Sequence, residues 1–291
     1  MHPAIRTVAR FGLSMLPSEL SLSVRHRERH GRWPDLHSPK TFNEKVLYFK
    51  LHERNPLLPT LIDKILVKDW VRKKLGDSWV TPTLWWGKEL PDRSQRNWPM
   101  PYVIKANHGS KWNVFVFDRV SDWAGIEADC KTWVTSRWHP ELHEWAYGLI
   151  DPNLLVEPYN GTRANPAPDC KFYVFGGRVE LVHVDIDRFT GHTRKYFDRN
   201  WVPQNIQSEF PNDERDLPAP PHLKEMIEGA EELGKGFAFA RVDLYDCGRP
   251  LFGEMTFYHG SGLCTFNPVS TDLTLGALWP AGDESGRAPR I

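Results

Sequence analysis

The stretch RVDLYDCGRPLFGEMT, residues 241–256, alternates apolar and polar residues on either side of a turn-forming Asp-Cys-Gly-Arg-Pro. A hairpin centred near Gly248 puts Asp243 across from Glu254 and Arg241 across from Thr256, because side chains two apart share a face. Val242, Leu244 and Met255, with Gly253 between them, then face the core. Two charged carboxylates about 5 Å apart repel by roughly 3 kcal/mol at an effective dielectric near 20, whereas a good cross-strand pair gains at most about 1 kcal/mol. A divalent metal is the natural compensation, since Mg2+ takes one or two carboxylates and fills its other positions with water and phosphate oxygens. The alternative is an exposed hairpin slipped by one or two residues, its acids apart in water.

A second candidate is Val103-Ile104-Lys105 leading into Asn107-His108-Gly109-Ser110. A lysine ending a buried strand, beside small hydrogen-bonding residues, suits a phosphate, since its charge and the loop amides face the anion together. A solvated surface lysine is the plain alternative. Other patterns fail on chemistry. Residues 229–235 fit G-x-x-x-x-G-K, but Gly236 stands where Ser or Thr should follow, and no strand precedes the match. His139 and His143 are four apart with Pro140 between them, which argues against a zinc site. Asp185-Ile186-Asp187 matches the D-x-D metal motif of nucleotide-sugar glycosyltransferases, a pattern common at strand ends.

The elements that must position these groups follow from periodicity. Thr41 and Glu44 form a capping-box start for a helix carrying Val46, Leu47 and Phe49. Leu57 to Leu75 reads as a second helix ended by Gly76. Residues 101–118 read as strand, polar loop, strand; Ser121 then caps a helix with Trp123, Ile126, Trp133 and Val134, and 153–157 is a buried strand. Strands 171–175 and 178–186 join through Gly176-Gly177, a third covers 193–198, and 203–221 is a Pro-rich loop. Leu223, Met226, Ile227, Ala230 and Leu233 mark a helix before the hairpin.

The 37 basic and 37 acidic residues balance, so no nucleic-acid partner is expected. Cys130, Cys170, Cys247 and Cys264 form no C-x-x-C pair, which favours reduced thiols in a cytosolic protein. No apolar run reaches the roughly 18 residues of a membrane span. The first forty residues are basic and slightly amphipathic; an irregular segment packed on the body is expected, with peripheral membrane contact as the alternative.

Taken in order, T41-F-N-E-K, D63-K64, V103-I-K-A-N-H-G-S110, L155-V-E-P-Y159, D169-C-K-F-Y-V-F-G-G177, D185-I-D-R-F-T-G-H-T-R194, R241-V-D-L-Y245 and G253-E-M-T-F-Y-H-G-S-G262 resemble the ATP-grasp superfamily, specifically its TupA-like, teichuronopeptide-biosynthesis subgroup. The resemblance implies an α+β fold in which two α+β subdomains clasp ATP behind a helical lead-in. The expected division is a basic arm (1–40), a helical lead-in (41–98), a lid subdomain (99–160) and a core subdomain carrying metal and acceptor sites (161–291). Lys64 and Lys105 would contact phosphates, and the loop of Asn107, His108, Gly109 and Ser110 would cover them. Glu157-Pro158-Tyr159 would meet adenine, Asp169 or Lys171 the ribose, and Arg194 or Lys195 the outer phosphates. Asp243 and Glu254 would bind magnesium, with Thr256 where many ATP-grasp ligases have Asn. Arg241 would steady the transferred phosphoryl group, His259 and Ser261 would belong to the acceptor loop, and Arg188, His192 and Arg194 would meet an acidic acceptor.

The resemblance thus implies an ATP- and Mg-dependent carboxylate–amine ligase acting through an acyl phosphate in cell-surface polysaccharide or peptide-polymer biosynthesis. The alternatives are a nucleotide-sugar glycosyltransferase using Asp185 and Asp187, or a non-catalytic nucleotide-binding module.

Overall fold

A computed structural model of the chain describes residues 16–120, 122–163, 166–187 and 190–280. The arm expected to be irregular contains a helix, α1 (Ser18–His30), closed by Gly31 in the left-handed region; the arm's first fifteen residues lie outside the described ones. Leu22 on its buried stripe packs with Leu36 and Leu47. Helix α2 (Phe42–His52) starts on the expected capping box, Thr41 accepting from the Glu44 N–H and Glu44 reaching back to Thr41.

The single helix read over residues 57–75 is instead two, α3 (Leu58–Ile62) and α4 (Val67–Leu75). Asp63 breaks the run: its Oδ1 accepts the N–H groups of Ile65 (2.7 Å) and Leu66 (3.2 Å), a local alternative to the helical ladder. The break is anchored by a bond from the Lys64 N–H to the Asn107 carbonyl at 3.2 Å.

A small antiparallel sheet follows, from β1 (Trp85–Gly87), β2 (Tyr102–Ala106), β3 (Asn113–Val116) and, after helix α5 (Trp123–Thr135), β4 (Leu154–Pro158). Its order is β1-β4-β2-β3. Ser121, the expected cap of α5, lies outside the described residues; the Asp122 side chain accepts the Gly125 N–H at 2.9 Å. Alternation sends Tyr102, Ile104 and Ala106 into an apolar cluster with Trp133, Leu154 and Val156. Lys105 therefore belongs to the opposite face.

The large sheet contains β5 (Asp169–Phe175), β6 (Arg178–Ile186), β7 (Thr193–Asp198) and β8 (Pro203–Gln204), then, after helix α6 (Leu223–Gly234), β9 (Phe239–Asp246) and β10 (Pro250–Thr256). Its order is β10-β9-β5-β6-β7-β8, antiparallel throughout. Gly176 and Gly177, at φ 55° and 85°, supply the two left-handed residues of the β5–β6 turn. One face carries Cys170, Phe172, Val174, Val182, Val184, Val242 and Leu244 into the main core, where α3, α4 and α6 cover it. The other face changes along the strands. At one end Phe175, Leu181 and Phe239 pack under α2 and the last helix, α7 (Ser270–Ala277), with Phe42 and Leu275. At the other end the same face carries Asp169, Lys171, Asp185, Arg194 and Asp243, and these line a cleft.

Glu44 ties the lead-in together. Its carboxylate accepts from Arg32 (2.6 Å) and from the N–H groups of Asp35 (3.2 Å), Lys40 (3.1 Å) and Thr41 (3.0 Å). Burial works against its charge, but these donors hold the carboxyl down from an ordinary 4.5 to about 2. Its contribution is complete above the unfolded value and is lost as pH falls from about 4.5 toward 2. Glu44→Gln should therefore cost about 2 kcal/mol in urea unfolding at neutral pH, with the gap to wild type narrowing at pH 3.

Candidate active site

The cleft lies between the two sheets and encloses about 500 Å3. Its floor is the hairpin that the sequence singles out. Asp243 stands opposite Glu254 and Arg241 opposite Thr256, as read, but the turn alone does not set this register. Pairing outward from the turn matches Asp246 with Pro250 and Leu244 with Phe252, and the next step would match Asp243 with Gly253. A bulge at Gly253 lets Glu254 take that place. A Cβ on Gly253 would lie 2.8 Å from the Tyr245 ring and 3.0 Å from the Asp243 carbonyl, so a larger residue would be crowded at the bulge.

The repulsion between the acids is met by three cations. Arg241 Nε and Nη2 donate to the two Asp243 oxygens, each at 2.7 Å, and Nη2 lies 3.4 Å from Glu254. Lys171 Nζ bridges Asp243 at 2.5 Å and Asp169 at 2.8 Å, and Lys64 Nζ lies 3.5 Å from Glu254. Burial and the facing Glu254 push the Asp243 carboxyl up against the pull of Arg241 and Lys171. Burial also opposes charge on Glu254, yet Lys64, Lys171, Arg241 and Lys105 together hold it down to about 2. Glu254 is the more open acid, 32% exposed, and its two cation contacts are long. Its oxygens thus keep lone pairs toward the cleft for a hard cation. Among the described residues no group of three or more His, Cys, Asp or Glu forms a metal site alone. Two carboxylates completed by water and phosphate oxygens is a donor set that suits magnesium.

The small sheet forms the other wall. Lys105 and Lys68 both bind the buried Glu157 carboxylate, and Lys68 also donates to the Thr81 carbonyl at 2.9 Å. Gly109 and Ser110 line the cleft, and Lys64 Nζ donates to the Gly109 carbonyl at 2.7 Å, joining lead-in and loop. Asn107 and His108, expected over phosphates, are turned inward. Asn107 donates to Asp63 (2.8 Å) and accepts from the Asn153 N–H (2.8 Å), while His108 lies 3.2 Å from the Ser136 carbonyl. Lys111 and Trp112 follow and line the cleft; Trp112 packs edge-on against Trp138, 5.3 Å between centroids. Pro158 and Tyr159 line the cleft, with Tyr159 edge-on to Phe115 at 5.2 Å. The Tyr159 N–H is taken by the Pro101 carbonyl at 2.9 Å and so is not open to a base.

At the far end Arg194 Nε donates to Asp185 at 2.7 Å, and His192 Nε2 lies 3.1 Å from the same oxygen. Phe210 stacks on His192 at 3.8 Å. Asp187 pairs with Arg215 at 2.7 Å, so both acids of the D-x-D match are engaged by cations. Lys195, one residue beyond Arg194, falls on the other side of β7 and donates to the Arg215 carbonyl; it does not line the cleft. Thr256 is half-buried on the Glu254 face but is not part of the cavity wall. His259 and Ser261 are buried behind the wall: His259 contacts Arg241 at 2.9 Å, and the Ser261 hydroxyl accepts from Lys50 at 2.9 Å. Arg188 lies outside the described residues.

Several residues in this arrangement escape sequence reading. Lys68 interrupts the apolar stripe of α4, a signal that reads equally as a stripe edge. Tyr173 and His183 fall at the period-two positions of Lys171 and Asp185, which does mark their face. Phe210 lies in the long loop with no periodic signal.

A family model described as TupA-like ATPgrasp matches residues 44–279. The chain belongs to the TupA-like ATP-grasp family. Its structure is similar to D-alanine–D-alanine ligase from Bacillus anthracis, at 18% identity, 68% of this chain, 57% of that chain and a TM-score of 0.38. It is also similar to the Helicobacter pylori ligase of the same name, at 12% identity, 86% of this chain, 67% of that one and a TM-score of 0.43. A third is the ATP-grasp ligase PsnB complexed with minimal precursor, at 13% identity, 76% of this chain, 62% of that one and a TM-score of 0.38. The TupA-like chain thus spans about 57% of the first ligase's length. The sequence has no match among curated proteins. No helix among the described residues is long and apolar enough to cross a membrane.

Lys171 offers a direct check on the charge arrangement of this ATP-grasp site. Lys171→Met leaves Asp169 and Asp243 buried without their shared cation and should cost about 3 kcal/mol in thermal unfolding. Lys195→Met should stay within about 0.5 kcal/mol of wild type.

Proposed function

We propose that the chain is an ATP- and magnesium-dependent carboxylate–amine ligase that forms an amide through an acyl phosphate. What carries this reading is the convergence of Lys64, Lys105, Lys171 and Arg241 on one cleft around the facing acids Asp243 and Glu254. Such a site suits phosphoryl transfer, where positioning and charge neutralisation do most of the catalysis.

In this reading Lys64 and Lys105 draw the phosphates into the cleft, with the Gly109–Ser110 loop over them. Tyr159 and Phe115 offer ring faces to the base, while Lys171, held by Asp169, stands toward the ribose. Asp243 and Glu254 would hold magnesium, which when bound neutralises charge on the outer phosphate oxygens. Arg241 presents its Nε–Nη2 edge along the same acids, where it steadies the phosphoryl group as the substrate carboxylate attacks. Arg194 and His192 mark the acceptor end, suited to an acidic sugar or amino acid whose acyl phosphate an amine then opens. A role in cell-surface polysaccharide or peptide-polymer synthesis is what the TupA-like resemblance implies, and the unpaired cysteines suit a cytoplasmic setting. ATP and magnesium also fit relatives: a B. anthracis ligase structure is described as complexed with ATP, and a PsnB structure as complexed with Mg and ADP.

ADP release should be measured with magnesium, ATP and a panel of uronic and amino acids paired with amines. One pair should give turnover, and Asp243→Asn and Glu254→Gln should each lower it by about 100-fold or more. Full turnover in both variants would remove the metal assignment. Protection from unfolding by UDP-sugars but not ATP would favour the glycosyltransferase, and ATP binding without ADP release from any pair would favour a non-catalytic module.

A further inference from the structure

Behind the cleft, three buried side chains run in a line that the proposed chemistry does not use. Arg241 Nη1 lies 2.9 Å from His259 Nδ1, His259 Nε2 lies 3.0 Å from the Tyr173 hydroxyl, and that hydroxyl lies 2.8 Å from His183 Nδ1. His183 Nε2 faces Asp185 at 3.9 Å. Tyr173 and His183 are fully buried, and His259 is nearly so.

The direction of every hydrogen bond follows from one residue. A guanidinium only donates, so His259 Nδ1 must accept. A neutral ring then carries its proton on Nε2 and donates to Tyr173. The phenol oxygen, having accepted there, gives its single proton to His183 Nδ1. His183 is left with its proton on Nε2, pointing at the Asp185 carboxylate. Burial, with Arg241 and Arg194 nearby, holds both imidazoles well below their ordinary value, as neutral rings require.

We propose that Tyr173, His183 and His259 form a hydrogen-bond chain of fixed direction that positions Arg241 and ends at His183 Nε2, which faces the Asp185 carboxylate across 3.9 Å. The chain ties Arg241 Nη1 to the back of the site, so its Nε and Nη2 are aimed at Asp243 and Glu254. At its other end Asp185 already accepts from Arg194 Nε at 2.7 Å. Arg241 is thus oriented through the buried chain, and Arg194 by Asp185, before substrate arrives, which avoids ordering them during the reaction. Packing alone does not explain the chain. Tyr173 lies in a cluster with Phe42, Phe175 and Phe239, where a phenyl ring would fill the space without a buried hydroxyl to satisfy. These are positioning residues, and their effect on turnover rests on the ligase reading.

The test has two arms. In the wild type at neutral pH, 15N-histidine NMR should show His183 and His259 each protonated on Nε2 only, and Tyr173→Phe should release His183 from that single tautomer. A proton on Nδ1 of either ring in the wild type, or no change in Tyr173→Phe, overturns the chain. In kinetics, Tyr173→Phe should lower kcat by about tenfold with KM for ATP within about twofold, in a protein that is still folded at the assay temperature. His183→Asn, whose Oδ1 takes the place of Nδ1 and still accepts the Tyr173 proton, should recover most of the turnover lost in His183→Leu. An unchanged kcat in folded Tyr173→Phe, or losses that track unfolding, overturns the positioning role. If no acid and amine give ADP release in the wild type, the ligase reading fails, and the NMR arm alone decides the chain.

Discussion

The constraint on which the rest of the structure depends is the burial of Asp243. A carboxylate 1% exposed beside a second acid is tolerated only with cations fixed around it. Arg241, two residues away on the same strand, binds both its oxygens, and Lys171 reaches it from the neighbouring strand. Lys171 in turn is shared with Asp169, and Arg241 with Glu254. Each pairing uses a residue whose position is fixed by strand register, so the charge pattern and the order of strands β10, β9 and β5 are one specification.

That specification is written on one face of the large sheet. Along β9 the face runs from Phe239 through Arg241 to Asp243, and along antiparallel β5 from Phe175 through Tyr173 to Lys171 and Asp169. Helices α2 and α7 cover the apolar end, and the small sheet faces the charged end. A single sheet face thus serves as core and as reactive surface, with neutral hydrogen-bonding groups between them. The opposite face has no such gradient; Phe172, Val182 and Val242 lie against α6 and the lead-in helices.

Much of this was legible in the chain itself. Period-two alternation in 171–175, 178–186 and 241–256 gives the strands and puts Asp243 with Glu254. Capping chemistry places α2, and the resemblance orders the pieces into an ATP-grasp fold. Tertiary context decides what periodicity does not. The helix break at Asp63 is joined to Asn107 in the turn after β2, and the same Asn107, read as a phosphate contact, is committed to that junction. Lys195 shows the limit of a motif letter, since a one-residue step on a strand reverses its face. The arm's helix carries only a narrow buried stripe around Leu22, too little apolar pattern to announce itself.

The bulge at Gly253 also separates two kinds of freedom. It stands between the exposed turn at Cys247 to Arg249 and the acids, so the turn's geometry and the facing of the acids are not bound by one even count of residues. The tip of the hairpin is thereby free to drift in composition while the acid pair stays in phase. Substitutions at the exposed residues 247–249 therefore leave the facing of the acids intact, whereas a side chain at 253 disturbs it.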